Sequence, residues 1–79
     1  LLYRSELHLR NIHWIAGAPS NPEIEVAVRY HAPLVRATLR DARCEMHDPV
    51  WAPAPGQSAV LYQGDECLGG GFIAAALVK

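Results

Sequence analysis

The chain has 79 residues, and its seven Lys or Arg against eight Asp or Glu give a formal net charge of −1 at pH 7. This length predicts one small domain with a thin core, and six prolines and six glycines interrupt the chain too often for a bundle of long helices. No apolar run approaches the roughly 20 residues of a membrane span, and two cysteines without a signal peptide fit a reducing cytoplasm.

The first part of the chain predicts a strand followed by a loop, and residues 1–4 before them are either the end of an upstream connection or a first short strand that completes a hairpin. Polar and apolar residues alternate over 6–10, which is typical of a half-buried strand, and 11–15 continues as one turn of helix or an irregular extension. Trp14 is predicted to anchor the core. Gly, Pro, Ser and Asn crowd residues 17–22, which indicates a loop.

The next two segments, 23–30 and 34–40, alternate in the same way and predict a hairpin. One register places apolar residues opposite apolar residues throughout, which favours it over its alternatives. That register makes the following pairs: Tyr30 with Val35, Val28 with Ala37, Val26 with Leu39, Arg29 with Arg36, and Glu25 with Arg40.

A turn, a strand and a loop are predicted next, at 41–42, 43–47 and 48–56. The loop ends in a type II turn, in which Pro55 sets φ at the first central position and Gly56 supplies the positive φ at the second.

A second hairpin is predicted from a β-prone strand at 58–63 and a two-residue turn of the primed kind at Gly64-Asp65. Folding back on this turn pairs Tyr62 with Cys67, Leu61 with Leu68, and Val60 with Gly69. A strand then contains Gly69, Gly70 and Gly71, which is tolerated where a strand coils sharply or another backbone comes close. Both are typical of a small barrel. The sequence therefore predicts an all-β fold, a closed Greek-key barrel of about six antiparallel strands.

Basic residues concentrate in the segment 29–43, which carries a net charge of +3. Like charges directly opposite on neighbouring strands repel, so the predicted pair of Arg29 and Arg36 suits a carboxylate or a bound anion between them. Because arginine forks match phosphate oxygens, an RNA-phosphate contact is predicted here. The competing interpretation is a solvated strand face neutralised by Glu25. The RNA-binding candidates are Arg29, Arg36, Arg40 and Arg43, of which Arg40 is predicted to pair with Glu25.

No catalytic or metal-binding constellation is predicted. Cys44 and His47 form a single C-x-x-H pair, whereas zinc needs about four ligands, and residues three apart on a strand point to opposite faces. Cys67 is predicted to be a small buried side chain. Core packing rather than base stacking is predicted for Trp14, Tyr30, Tyr62 and Phe72. For Trp51 both interpretations stay open.

Three segments resemble one enzyme family. The most specific is Pro-Gly-Gln-Ser-Ala-Val-Leu-Tyr at 55–62 with Gly-Asp-Glu-Cys-Leu-Gly-Gly-Gly at 64–71, which looks like the last hairpin of bacterial tRNA-specific 2-thiouridylases. Leu-His-Leu-Arg-Asn-Ile-His-Trp-Ile at 7–15 and Val-Ala-Val-Arg-Tyr at 26–30 are similar to two further segments of that family. One departure is His31, which stands where another basic residue usually follows the tyrosine.

The resemblance covers nearly the whole chain and implies the C-terminal β-barrel domain of that enzyme, similar to barrels of translation factors. Residues 1–79 would then be one domain of a longer polypeptide. The parent enzyme is expected to activate the C2 position of the wobble uridine of tRNA with ATP and Mg²⁺, and to take sulfur from a sulfur-relay donor protein. Its ATP-binding loop and catalytic cysteines lie outside this chain, so the domain itself is expected to bring no cofactor and no catalytic residue.

The role implied for this domain is to help hold tRNA and to pack against the catalytic domains. Two alternatives stay open. One is a structural cap or protein-docking barrel that touches no RNA. The other is a barrel of a translation factor or of an aminomethyltransferase-like enzyme.

Overall fold

The computed structural model describes residues 3–28, 34–51 and 55–77. These ranges contain six strands: β1 Tyr3–Trp14, β2 Glu23–Ala27, β3 Val35–Arg40, β4 Arg43–Trp51, β5 Ser58–Gln63 and β6 Glu66–Leu77. All pairings are antiparallel, and the strands close into a barrel in the order β1-β4-β3-β2-β5-β6. Strands β2 to β4 are consecutive neighbours and β1 returns beside β4, which is a Greek-key arrangement. The predicted all-β closed barrel is confirmed.

The barrel interior is filled by aliphatic side chains from alternate positions along the strands. The largest fully buried side chains include Leu7 of β1, Leu61 of β5 and Ile73 of β6. Trp14 is half-buried and packs against this cluster, as predicted. Burying a side chain of this size is worth about 1.5–3 kcal/mol. Because these three side chains come from β1, β5 and β6, those strands contribute much of the core.

The β5–β6 hairpin has the predicted turn and an unpredicted bulge. Gly64 adopts a φ of 60° in the turn, and Tyr62 pairs with Cys67. Beyond that pair Leu68 is an extra residue on β6, so Leu61 lies opposite Gly69 rather than opposite Leu68 as predicted. The bulge turns Leu68 and Gly69 both into the core and leaves Cys67 exposed, so the predicted burial of Cys67 is wrong.

The three consecutive glycines of β6 lie where two other backbones come close. Gly69 has a φ of 147°, and a Cβ atom there would overlap the carbonyl oxygen of His13 on β1. A Cβ atom at Gly70 would lie 2.8 Å from the carbonyl oxygen of Ala59, and one at Gly71 would lie 3.0 Å from that of Arg10. Glycine is the residue that allows β1 and β5 to approach β6 this closely.

The register of the β2–β3 hairpin differs by four residues from the predicted one. Strand β2 pairs with β3 as follows: Glu23 with Thr38, Ile24 with Ala37, Glu25 with Arg36, and Val26 with Val35. The predicted pairs of Val28 with Ala37, Val26 with Leu39, Glu25 with Arg40 and Arg29 with Arg36 are therefore wrong, and the predicted partner Tyr30 lies outside the described residues. A shift by an even number of residues keeps every side chain on its predicted face, so alternation alone does not distinguish the two registers.

Three strands run further than predicted. Strand β1 continues to Trp14 through a bulge between Arg10 and His13, where Asn11 has a φ of 54°, rather than ending in a helical turn. Strand β4 continues through 48–51, which was predicted as loop. Strand β6 runs to Leu77 because it pairs with the first half of β1.

In the described ranges no helix is long and apolar enough to cross a lipid bilayer.

Candidate nucleic-acid interface

The outer surface of four neighbouring strands is polar and charged. Strands β2, β3, β4 and β1 are adjacent, and their apolar alternate residues point into the barrel. The positions between them form what we call the charged face: Glu23, Glu25, Arg36, Thr38, Arg40, Arg43, Glu45, His47, Glu6 and His8. Three of the four predicted RNA-binding arginines lie here, and Arg29 lies outside the described residues.

Arg40 is held by a carboxylate of the adjacent strand. Its Nε donates to Oε1 of Glu45 over 2.8 Å. This hydrogen bond, together with the negative charge of Glu45, raises the pKa of Arg40. The prediction that Arg40 pairs with Glu25 is wrong, because the shifted register places Glu25 opposite Arg36. With Glu45 as its neighbour, Arg40 already has an anionic partner within the chain.

Arg43 has a weaker partner of the same kind. Its Nη1 lies 3.9 Å from Oε2 of Glu6, and the same oxygen lies 2.6 Å from Nε2 of His8. Glu6 is only 13% exposed at its side chain, whereas Arg43 is 51% exposed. The Arg43 side chain therefore extends into solvent, and the largely buried carboxylate of Glu6 lies beside it.

Arg36 differs from both. Its cross-strand partner is Glu25, yet in the part of the chain that the structure describes the Arg36 guanidinium has no hydrogen bond and no carboxylate oxygen within 4.0 Å. Its side chain is exposed. Among the described arginines of the 29–43 segment, Arg36 is the one whose guanidinium is available to a partner.

A groove lies beside Arg36 on the outer surface of β3, β2 and β5. It has a volume of about 320 Å³ and is lined by Glu23, Ile24, Glu25, Arg36, Gln63 and Gly64. The backbone N–H of Gly64 donates to Oε1 of Glu25 over 3.2 Å. The Gln63 side chain donates from Nε2 to the carbonyl oxygens of Asn21 and Glu23 over 3.0 and 2.9 Å. These bonds hold Gln63 and Gly64 against β2 and against the loop residue Asn21 before it.

A second polar network was not predicted from the sequence. The Thr38 hydroxyl lies 2.9 Å from Oε2 of Glu23 and 3.0 Å from Nε2 of His47, and the His47 nitrogen lies 3.4 Å from Oε1 of Glu23. The sequence does indicate that these three residues point outward, because they occupy the polar alternate positions of three successive strands. The correct register was needed to bring them together.

The cysteines stand apart from the charged face. Cys44 is fully buried, and burial raises the pKa of its thiol to about 12, while His47 points outward. Within 3–28, 34–51 and 55–77 no group of three or more His, Cys, Asp or Glu could hold a metal ion.

None of the three aromatic side chains whose burial the structure describes, Trp14, Tyr62 and Phe72, is fully buried. Tyr62 is half-buried. Phe72 is 41% exposed, so its predicted place in the core is wrong, and the guanidinium of Arg10 lies 5.4 Å from the centre of its ring. Tyr30 and the side chain of Trp51 lie outside what the structure describes.

The closed antiparallel barrel with a charged outer face defines a small all-β domain. A family model described as "Aminomethyltransferase beta-barrel domain" matches residues 4–73. The chain therefore belongs to this family.

The chain is also similar to part of several curated proteins named tRNA-specific 2-thiouridylase MnmA. It is 45% identical to the protein of Polaromonas sp. strain JS666 over 83 residues, covering 98% of this chain and 21% of that protein. It is 49% identical over 69 residues to that of Methylibium petroleiphilum, covering 80% of this chain and 17% of the relative, and 39% identical over 80 residues to that of Chromohalobacter salexigens, covering 92% and 21%. The chain spans about a fifth of the length of these relatives. The predicted resemblance is confirmed.

Proposed function

We propose that this chain is the tRNA-contacting accessory domain of an ATP-dependent tRNA-uridine 2-sulfurtransferase, which makes 2-thiouridine at the wobble position. The names of the relatives and the family match support the enzyme class. In this proposal residues 1–79 form one domain at the C-terminal end of a cytoplasmic enzyme. Its other domains bind ATP and Mg²⁺, receive sulfur from a relay donor and carry the catalytic residues.

The observation that carries the RNA contact is the difference between the arginines. Arg40 and Arg43 are paired with glutamates, whereas the Arg36 guanidinium has no such partner in the described ranges. An exposed, unpaired guanidinium on a rigid strand is ready to form a charge-assisted, bidentate bond with a phosphate. Arg36 is therefore the residue expected to contribute most to tRNA binding from this face.

The test is tRNA binding by the full-length enzyme carrying Arg36→Ala, measured over a range of salt concentrations. One phosphate contact fewer should weaken binding severalfold and reduce the slope of log K against log salt by about 1. Arg40→Ala is the matched control, since it removes the same charge from the same strand but from a guanidinium that Glu45 already neutralises. Equal effects of the two variants, or no effect of Arg36→Ala, would contradict the proposal.

A second role, packing against the rest of the enzyme, is supported by the opposite side of the barrel. Strand β6 exposes Phe72 at 41% and Leu77 at 43%, and Ala74 between them is also exposed. Apolar side chains grouped on a strand are typical of a contact surface. Replacing Phe72 and Leu77 together by Ser should lower the melting temperature of the full-length enzyme and leave the Arg36-dependent salt slope unchanged.

A further inference from the structure

We propose that the groove between β3, β2 and β5 binds an unpaired guanine base of the RNA partner. This inference rests on the proposed function and names what that surface recognises. It begins from the arrangement of donors and acceptors around the groove rather than from its net charge.

The acceptors lie on the β2 and β5 sides. Glu25 accepts the Gly64 N–H at Oε1, which orients the carboxylate along the groove and leaves its second oxygen for a ligand. Both donor contacts of the Gln63 amide are made by Nε2 to backbone carbonyls, so the group that Gln63 can still offer is its side-chain carbonyl oxygen. The half-buried Glu25 and Gln63 thus present two oriented acceptors.

The donor lies on the β3 side. Arg36 faces Glu25 across the β2–β3 pair and lines the same groove. Its guanidinium offers several N–H groups in a planar fork, which suits two adjacent acceptors on one ligand. A ligand that fits this groove therefore has hydrogen-bond acceptors on one edge and hydrogen-bond donors on the adjacent edge.

A phosphate alone does not meet this requirement, because it has only acceptors and leaves the acceptors of Glu25 and Gln63 without a donor. The Arg36 guanidinium has five N–H groups, so one pair can hold a base edge while the others contact the phosphate of the proposed function. Guanine does meet this requirement, because O6 and N7 accept from an arginine fork. Its N1–H and N2 amino group supply two adjacent donors for the remaining Glu25 oxygen and the Gln63 carbonyl oxygen. Recognition of these edges requires an unstacked base, which RNA supplies in loops and ends. A volume of about 320 Å³ lies at the lower end of the range for small-ligand sites, about 300–1,000 Å³, and so suits one nucleoside.

The experiment uses the full-length protein and two short single-stranded oligouridylates with one central guanosine or inosine, since inosine lacks the N2 amino group. The wild type should bind the guanosine oligonucleotide about tenfold more tightly. Glu25→Gln should bring this ratio close to one. Glu66→Gln removes the same charge from an exposed position of β6 outside the groove and should keep the wild-type ratio.

The alternative is a purely electrostatic groove, and it predicts the opposite sign. Removing the negative charge of Glu25 would then tighten binding of both oligonucleotides and leave their ratio unchanged, which would overturn the inference, as would a wild-type ratio of one. If Glu25→Gln disturbs folding, Arg36→Lys keeps the charge and loses the fork. It should weaken the binding of both oligonucleotides, because both carry O6 and N7, whereas a purely electrostatic groove predicts no change. A wild-type ratio of one combined with weakened tRNA binding by Arg36→Ala would reject this inference and leave the proposed function standing. A guanosine preference that depends on Glu25, combined with an unchanged salt slope in Arg36→Ala, would reject the phosphate contact alone.

Discussion

Arg40 and Arg43 lie directly opposite each other at the end of the β3–β4 hairpin, and each contacts a different glutamate. The two glutamates, Glu45 and Glu6, are themselves opposite each other across β4 and β1. Like charges paired across strands repel, so neither pair is favourable alone. The diagonal contacts Arg40–Glu45 and Arg43–Glu6 each join opposite charges, which explains how the barrel tolerates both like-charge pairs.

This arrangement predicts an asymmetry between the two ends of the Arg40–Glu45 pair. Glu45→Gln removes a negative charge that compensates the repulsion between Arg40 and Arg43. It should therefore lower the melting temperature by a few degrees at low salt. Arg40→Ala removes one of the opposed cations and should lower it less. The difference should shrink in about 1 M salt, where exposed charges are screened within about 3 Å. If the difference in melting temperature persists at high salt, it arises from packing rather than from charge.

The glycine run of β6 predicts that similar substitutions have very different costs. Gly17 and Gly69 both have a φ in the region that disfavours L side chains, at 87° and 147°. Alanine at Gly17 meets open space and should cost about 1–2 kcal/mol of unfolding free energy. Alanine at Gly69 also overlaps the carbonyl of His13 and should cost roughly 3–5 kcal/mol. Urea unfolding of the two variants measures the difference, and equal costs would show that β1 and β6 separate without penalty.

The core predicts a further matched pair of leucines. Leu61 is fully buried in the barrel, whereas Leu34, just before β3, is 45% exposed. Leu61→Ala should lower the unfolding free energy by about 2–5 kcal/mol, and Leu34→Ala by less than about 0.5 kcal/mol. Chemical unfolding of the full-length protein followed by a probe in this domain tests both. Equal losses for the two variants would contradict the position of Leu61 in the core.

The two cysteines should differ in reactivity. Cys67 is exposed, and Cys44 is buried with a pKa raised to about 12 by burial. Because the thiolate is the nucleophile, a thiol reagent should label Cys67 in the native protein and leave Cys44 unlabelled until unfolding. Cys67→Ser should abolish the labelling of this domain in its native state, which peptide mapping by mass spectrometry detects. Native labelling at Cys44 would contradict its position in the core.

Burial of Cys44 also predicts a pH dependence of stability. The unfolded thiol loses its proton near its ordinary pKa of about 9, whereas the folded thiol retains it to about 12, so the native state binds more protons between these values. The contribution of Cys44 is therefore fully present below pH 9 and is lost as pH rises toward 12. The unfolding free energy should fall by up to about 1.4 kcal/mol per pH unit in that window. Cys44→Ala should be less stable at neutral pH but lack this part of the slope.

The local features of the barrel follow from short stretches of sequence. The alternation of Ile24 and Val26 identifies the buried face of β2, because side chains alternate strictly along a strand. The β5–β6 turn follows from Gly64-Asp65, because few residues adopt the backbone conformation of a tight hairpin. The specific run at 55–71 also carried the family resemblance that the comparisons confirmed. These signals are local, and no distant contact changes them.

The partners of the charged side chains were not predictable in this way. Strands 23–30 and 34–40 have the same alternation, so a shift of four residues preserves every face and changes every cross-strand neighbour. The shift makes Glu25 rather than Arg29 the partner of Arg36, and the closure of β4 onto β1 supplies Glu6 to Arg43. The sequence by itself determined the central residues of the strands, the sides of β2 and β3 that face the core, and the family that the chain resembles. Only the closed barrel decided which arginine is left without a carboxylate, because that depends on register and on contacts between strands far apart in the chain.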